Sequence, residues 1–156
     1  MRFIVDVRTV PRSRKNPQYN RDTMPASLGA LGLGYRHMAA LGGLRSRAKG
    51  VPPEVNAFWQ NESFHNYADY AMGSPFRSSL EELIFLNAEN GPCAVMCAEG
   101  LWWRCHRRII ADYLLARGEE VSHIMPAGEV VAAKLTEGAK PGPGGVLTYP
   151  AGDLLT

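Results

Sequence analysis

The sequence lacks the features that mark a secreted or membrane-bound chain. It contains only three cysteines among 156 residues, an odd number that argues against a disulfide framework. No apolar run approaches the ~18 residues that span a bilayer. The first residues, MRFIVDVRTVPRSR, have an apolar stretch too short for a signal peptide. These absences predict a cytoplasmic protein with reduced thiols and no membrane partner.

Acidic residues are scarce in the first third of the chain. Between Val7 and Gly50 the sequence contains nine Lys or Arg residues and a single acidic residue, Asp22. This basic segment therefore carries a net charge of +8. Residues 51–156 carry −6. A segregated basic segment suggests that the partner is an anionic small molecule or a nucleic acid. A solvated loop whose charges are simply exposed is the alternative.

Short apolar runs alternate with helical patterns along most of the chain. Strand-like runs occur at 3–7, 35–38, 93–97 and 121–125, with helical spacing between several of them. This alternation predicts a single α/β domain over residues 1–156, with a mostly parallel sheet flanked by helices. A Pro/Gly-rich extension begins at about residue 126, in which 133–136 and 146–149 are expected to form a loose hairpin or an edge extension.

The stretch CAEGLWWRCHRRII at 97–110 concentrates reactive side chains between a predicted strand and a predicted helix. Ligands of open α/β sheets bind outside the carboxyl ends of the strands. Cys97 and Glu99 follow one predicted strand, and Asp6 and Arg8 end another. We therefore expect these two strands to be neighbours, with both motifs at one edge of the sheet.

The residue types in these motifs suit nucleophilic chemistry on an anion. Arginine forks bind phosphate or carboxylate, and a helix N-terminus beside arginine favours a thiolate. Cys105 is expected in the first helical turn and is predicted to be the most reactive thiol. The catalytic candidates are Cys97, Cys105, Glu99 and His106, and the anion-binding candidates are Arg8, Arg104, Arg107 and Arg108, with Asp6 orienting them.

Simpler interpretations stand beside these assignments. Cys97 and Cys105 could each be present for packing alone, and Glu99 could serve as the ion-pair partner of an arginine. The phosphatase spacing of five residues between Cys and Arg would place the arginine where Trp103 stands, which argues against a direct analogue. Adjacent Cys105 and His106 would project about 100° apart on a helix, which makes joint metal ligation awkward. No metal and no cofactor is predicted.

Four segments of the sequence resemble a known bacterial family. They read IVDVRTVPRSRKNPQYN, YRHMAALGGLR, FHNYADYAM and MCAEGLWWRCHRRIIADYL. In these segments the chain resembles the bacterial domain-of-unknown-function family 488, from about Ile4 to Met125. The resemblance implies the fold and a site at the DVR and C-x-E…CHR motifs, but no reaction.

One feature of that family is missing here. Its members usually begin with another strand and helix before the DVR strand, which in this sequence starts almost at Met1. Either the start is misassigned or the member is naturally shortened. If the family's first strand lies beside the DVR strand, its loss exposes a sheet edge or leaves a gap, and an exposed edge suggests a homodimer.

Together these features predict a small cytoplasmic enzyme that acts on a phosphorylated or nucleotide-like anion. The alternative is a non-catalytic module that binds nucleic acid or another anion through the basic segment 7–50. Thiol chemistry and salt dependence distinguish the two. The enzyme needs a cysteine that ionises readily, whereas binding to nucleic acid weakens steeply as salt rises.

Overall fold

The computed structural model of the protein describes residues 1–152, and its chain forms two compact units. The first, here called the sheet unit, consists of Met1–Gly43 and Ser78–Ala98. The second, the hairpin unit, consists of Leu44–Arg77 and the residues from Glu99 onward. The single-domain assignment stays a prediction. Among the described residues no helix is long and apolar enough to cross a membrane.

Three parallel strands form the core of the sheet unit. They are β1 (Phe3–Asp6), β2 (Gly34–His37) and β3 (Cys93–Met96), in the order β2-β1-β3. The register places Asp6 opposite His37 on one side and Met96 on the other. The predicted α/β class with a parallel sheet is confirmed. The expected pairing of the Asp6 strand with the strand that precedes Cys97 is also confirmed.

The order of the strands makes the carboxyl end of β1 a topological switch point. The chain continues from β1 to β2 on one side, while β3 pairs on the other side. Ligands of open α/β sheets bind at such points. Because β1 is central, the two edges of this sheet belong to β2 and β3. A homodimer through a sheet edge stays a prediction, and it would use one of those two strands.

The described residues form four α-helices, with bounds α1 (Met24–Gly29), α2 (Glu62–Ala71), α3 (Ser74–Asn90) and α4 (Arg107–Ala116). Asn61 caps α2, because its side chain accepts a hydrogen bond from the Phe64 amide at 3.3 Å. In the hairpin unit the ring of Phe76 lies between those of Tyr67 and Tyr113, at centroid distances of 6.0 and 4.9 Å. These edge-to-face contacts fix α2 and α4 in this unit.

The start of α4 differs from the sequence expectation. Cys105 was expected in its first turn, but the helix begins at Arg107 with His106 as its cap, and Cys105 is extended (φ −122°, ψ 148°). The reason is a 3₁₀ turn at Trp102–Arg104, which the Cys105 amide closes by donating to the Trp102 carbonyl at 3.1 Å. Because residues 102–104 form this separate turn, the α-helix starts only after Cys105.

The C-terminal extension forms two antiparallel pairs. Their strands are β4 (Ser122–Ile124) with β5 (Val130–Ala132), and β6 (Lys140–Pro141) with β7 (Leu147–Thr148). A hairpin around the Pro/Gly run at 141–145 is thus present, but its first strand lies at 140–141 and not at the expected 133–136. The tight turn between β4 and β5 contains Gly128 at φ 84°, a conformation that glycine adopts without strain. That turn lets the chain reverse before residue 133.

Asp112 joins the C-terminal extension to α4. Its Oδ1 accepts a hydrogen bond from the Thr136 amide at 2.8 Å, and its Oδ2 accepts one from the Tyr149 hydroxyl at 2.8 Å. Burial raises the pKa of this carboxyl above its usual value, and the hydrogen bonds from Thr136 and Tyr149 oppose that rise. The extension is thus tied to α4 by a carboxyl group buried in the hairpin unit.

Replacing Tyr149 with phenylalanine removes one of these two hydrogen bonds and little else. We expect a loss of about 1.5–3 kcal/mol in the free energy of unfolding, the usual range for a hydrogen bond to a charged group. Urea denaturation followed by circular dichroism measures it. The matched control is Tyr19→Phe, since Tyr19 is 49% exposed. Equal unfolding midpoints for the two variants would contradict the assigned role of Asp112.

Candidate functional site

Asp6 and Arg8 form a buried ion pair at the carboxyl end of β1. Arg8 Nε donates to Asp6 Oδ1 at 2.9 Å, and Arg8 Nη2 donates to Asp6 Oδ2 at 2.6 Å. The Arg8 amide donates to Oδ1 as well, at 3.1 Å. Residues two apart in an extended chain lie on the same side. The DVR motif therefore supplies both members of the pair from one strand end.

Two residues of β2 complete this network. The Tyr35 hydroxyl donates to Asp6 Oδ2 at 2.5 Å, and His37 Nε2 lies 2.6 Å from the Arg8 carbonyl oxygen. Burial alone would raise the pKa of Asp6, but the hydrogen bonds from Arg8 and Tyr35 outweigh it and leave that pKa below its usual value. Burial and the adjacent carboxylate raise the pKa of Tyr35 to about 12. At neutral pH the network thus contains one carboxylate, one guanidinium and a neutral phenol.

Sequence reasoning did not assign Tyr35 to this site. Its contact with Asp6 depends on the register of β1 with β2, which places Tyr35 opposite Ile4. The sequence contains the strand-like run around Tyr35 but no signal of that register. Cys97, by contrast, lies where it was predicted. It follows β3 beside β1, where the Val7 amide donates to the Met96 carbonyl at 3.0 Å.

A second group of hydrogen-bonding side chains surrounds Cys105 in the hairpin unit. Arg107 Nε donates to Cys105 Sγ at 3.2 Å, and His106 Nδ1 lies 3.5 Å from the same sulfur. Arg107 Nη2 also donates to the carbonyl oxygen of Glu99. Cys105 is buried, with 4% of its surface exposed. A guanidinium that donates to sulfur favours the thiolate over the thiol.

The extended backbone of Cys105 explains why its sulfur meets its neighbour. On a helix the two side chains would diverge by about 100°. Here Cys105 precedes the helix, and the sulfur approaches the ring of His106. The argument against joint metal ligation by these two residues assumed a helical arrangement, which Cys105 does not have.

Stacked aromatic rings hold the turn that leads into this cluster. The Trp102 ring is parallel to that of His123, with 1° between the planes and 4.0 Å between the centroids. Burial, and then the charge of Arg107, lower the pKa of His123. A neutral imidazole therefore supports Trp102 at neutral pH. The ring of His106 contacts that of Tyr67 at a centroid distance of 5.0 Å.

The remaining predicted residues lie in different surroundings. The Glu99 carboxylate accepts a hydrogen bond from the Leu101 amide at 3.0 Å, so it closes a turn of the loop. Arg104 is exposed. Arg108 Nε donates to Thr136 Oγ1 at 3.2 Å, and its guanidinium carbon lies 5.0 Å from the centre of the Trp59 ring. The structure thus groups Arg107, but not Arg108, with the Cys105 thiol. The catalytic and anion-binding roles of all these residues stay predictions.

A protein-family model described as "Domain of unknown function DUF488" matches residues 1–114. The matched range contains the ion pair after β1 and the residues around Cys105, and it ends within α4 before the C-terminal strands. No curated protein and no solved structure matches the chain.

Proposed function

Since the chain belongs to the DUF488 family, whose description assigns no function, we propose from its side chains that it is a small cytoplasmic enzyme acting on a phosphorylated or nucleotide-like anion. The observation that carries the proposal is the hydrogen bond from Arg107 Nε to Cys105 Sγ at 3.2 Å. A buried thiol has no need of a guanidinium for packing. A nucleophilic thiolate does need one, because a nearby cation stabilises its charge.

The proposed reaction is a transfer of a phosphoryl group through the Cys105 sulfur. The thiolate attacks phosphorus, forming a sulfur–phosphorus bond as the bond from phosphorus to the leaving oxygen breaks. His106, with Nδ1 at 3.5 Å from the sulfur, donates a proton to that oxygen. Water then attacks phosphorus and gives its proton to His106, which releases inorganic phosphate and restores the thiolate. Arg104, exposed in the preceding turn, adds positive charge for an incoming anion.

Trapping the covalent intermediate tests this proposal. The full chain is mixed with nucleoside monophosphates and sugar phosphates, quenched in acid and digested, and its peptides are analysed by mass spectrometry. We expect a phosphoryl group on the peptide that contains Cys105 and none in Cys105→Ser. Cys93→Ser is the matched control and should retain the adduct. Phosphate release that persists unchanged in Cys105→Ser would refute the role of the thiol, and no turnover of any substrate would refute the enzyme.

A further inference from the structure

A closed loop follows β1 in the sheet unit, here called the basic loop and defined as residues 11–21. The Arg21 amide donates to the Pro11 carbonyl at 3.0 Å, which brings the two ends together. Inside the loop the Ser13 amide donates to Asn20 Oδ1 at 2.6 Å, and Pro17–Tyr19 form a 3₁₀ turn. Loops closed in this way hold their own shape and often carry function.

The basic loop exposes its cations. Its own polar groups supply hydrogen bonds inside it, and its exposed side chains include those of Arg12, Arg14, Lys15 and Arg21. In the same loop the ring of Tyr19 is 49% exposed. Four cations and one aromatic ring are thereby displayed on a defined backbone.

The buried network at the end of β1 fixes the position of Tyr19. Arg8 Nη2, which already donates to Asp6, also donates to the Tyr19 carbonyl at 2.6 Å. Arg8 is only 6% exposed, so its charge is directed to the protein rather than to solvent. This makes Arg8 a positioning residue for the loop.

We propose that the basic loop is a docking surface for single-stranded nucleic acid. Its cations would lie along the phosphates, and the Tyr19 ring would stack on one base. Charge alone would fit a duplex equally well, but a duplex offers no free face of a base to an exposed aromatic ring. The exposed ring therefore favours single strands. The proposal uses residues of the sheet unit alone and does not depend on the chemistry of Cys105.

Binding of a fluorescein-labelled single-stranded oligonucleotide of mixed sequence to the full chain, measured by anisotropy over a salt series, tests the proposal. We expect Arg14→Ala/Lys15→Ala to weaken binding at low salt about tenfold and to reduce the slope of log K against log salt by about 1.4, from ~0.7 for each phosphate contact. Tyr19→Ala should weaken binding at least about fivefold and leave that slope unchanged. Lys134→Ala/Lys140→Ala, two exposed lysines of the hairpin unit, is the matched control and should change the affinity less.

Three results would overturn the proposal. The first is no binding of the oligonucleotide by the wild-type chain at low salt. The second is an equal loss in the loop variant and in the lysine control, which would indicate a general effect of net charge. The third is equal competition by the matching duplex together with no effect of Tyr19→Ala. Cys105→Ser should bind the oligonucleotide as the wild type does, so a failure here is distinct from a failure of the proposed enzyme.

Discussion

Replacing Arg8 with methionine is expected to lower the free energy of unfolding by about 3–5 kcal/mol, because it leaves a buried charge without its partner. The Asp6 carboxylate is fully buried and receives two hydrogen bonds from the Arg8 guanidinium. The guanidinium hydrogen bond to the Tyr19 carbonyl is lost as well. Urea denaturation followed by circular dichroism measures the change.

The same substitution at Arg36 is the matched control. Arg36 Nη1 lies 2.7 Å from Glu82 Oε1, a separation close to that of the buried pair, but the two side chains are 45% and 49% exposed. Exposed pairs contribute roughly 0–1 kcal/mol. The difference between the two variants in the free energy of unfolding therefore measures the effect of burying the ion pair. If Arg36→Met and Arg8→Met lower the free energy of unfolding equally, the buried ion pair does not stabilise the fold more than the exposed one.

The effect of Arg8→Met also has a defined dependence on pH. The pKa of Asp6 in the folded state lies below its usual value. Its stabilising contribution is therefore present above the unfolded pKa of about 3.9 and is lost as the pH falls through the folded pKa. In the variant, burial without the Arg8 partner raises the pKa of Asp6, so the advantage of the wild type should begin to shrink above about pH 4 and keep shrinking as the pH falls through the folded pKa of the wild type. Asp112, whose pKa burial raises, contributes with the opposite sign, but both proteins contain it and it cancels in the difference.

The sequence was sufficient for the parts of the fold that depend on local pattern and chain direction. The run CAVM is typical of a buried parallel strand and the run FIVD has the composition of a strand, and their pairing was expected from the parallel-sheet pattern and the crossover rule. Tyr35 could not be assigned in the same way. Whether a tyrosine in a strand reaches Asp6 depends on register, and register depends on packing between segments far apart in the chain.

The surroundings of Cys105 were only partly predictable for a related reason. The presence of arginine near the thiol was evident from the sequence, but the choice between Arg107 and Arg108 was not. The start of α4 decides it, and that start depends on a 3₁₀ turn supported by the stacking of Trp102 on His123, a residue of β4. Arg108 is instead directed to Thr136, which lies in the segment 133–136 that does not form the expected strand.

This difference between two adjacent arginines leads to a second large expected effect. Replacing Arg107 with glutamine should slow the alkylation of Cys105 by iodoacetamide at pH 6 by between about tenfold and a hundredfold. Only the thiolate reacts with iodoacetamide. At a pH well below the pKa of a free thiol, nearby cations raise the fraction of thiolate by roughly tenfold to a hundredfold. The substitution replaces the guanidinium that donates to the sulfur at 3.2 Å with an uncharged amide. Peptide mass spectrometry gives the rate for Cys105 separately from those for Cys93 and Cys97.

Arg108→Gln is the matched control, because it removes the same charge one residue away. Its guanidinium donates to Thr136 and not to the sulfur, so the alkylation rate of Cys105 should remain close to that of the wild type. Burial of Cys105 slows alkylation in all three proteins, which is why the ratio between the variants, rather than the absolute rate, decides the question. If both variants slow the reaction equally, the thiolate responds to net charge and not to a specific hydrogen bond. If neither slows it, Cys105 is a packing residue, and the proposed nucleophile is refuted while the basic loop is unaffected.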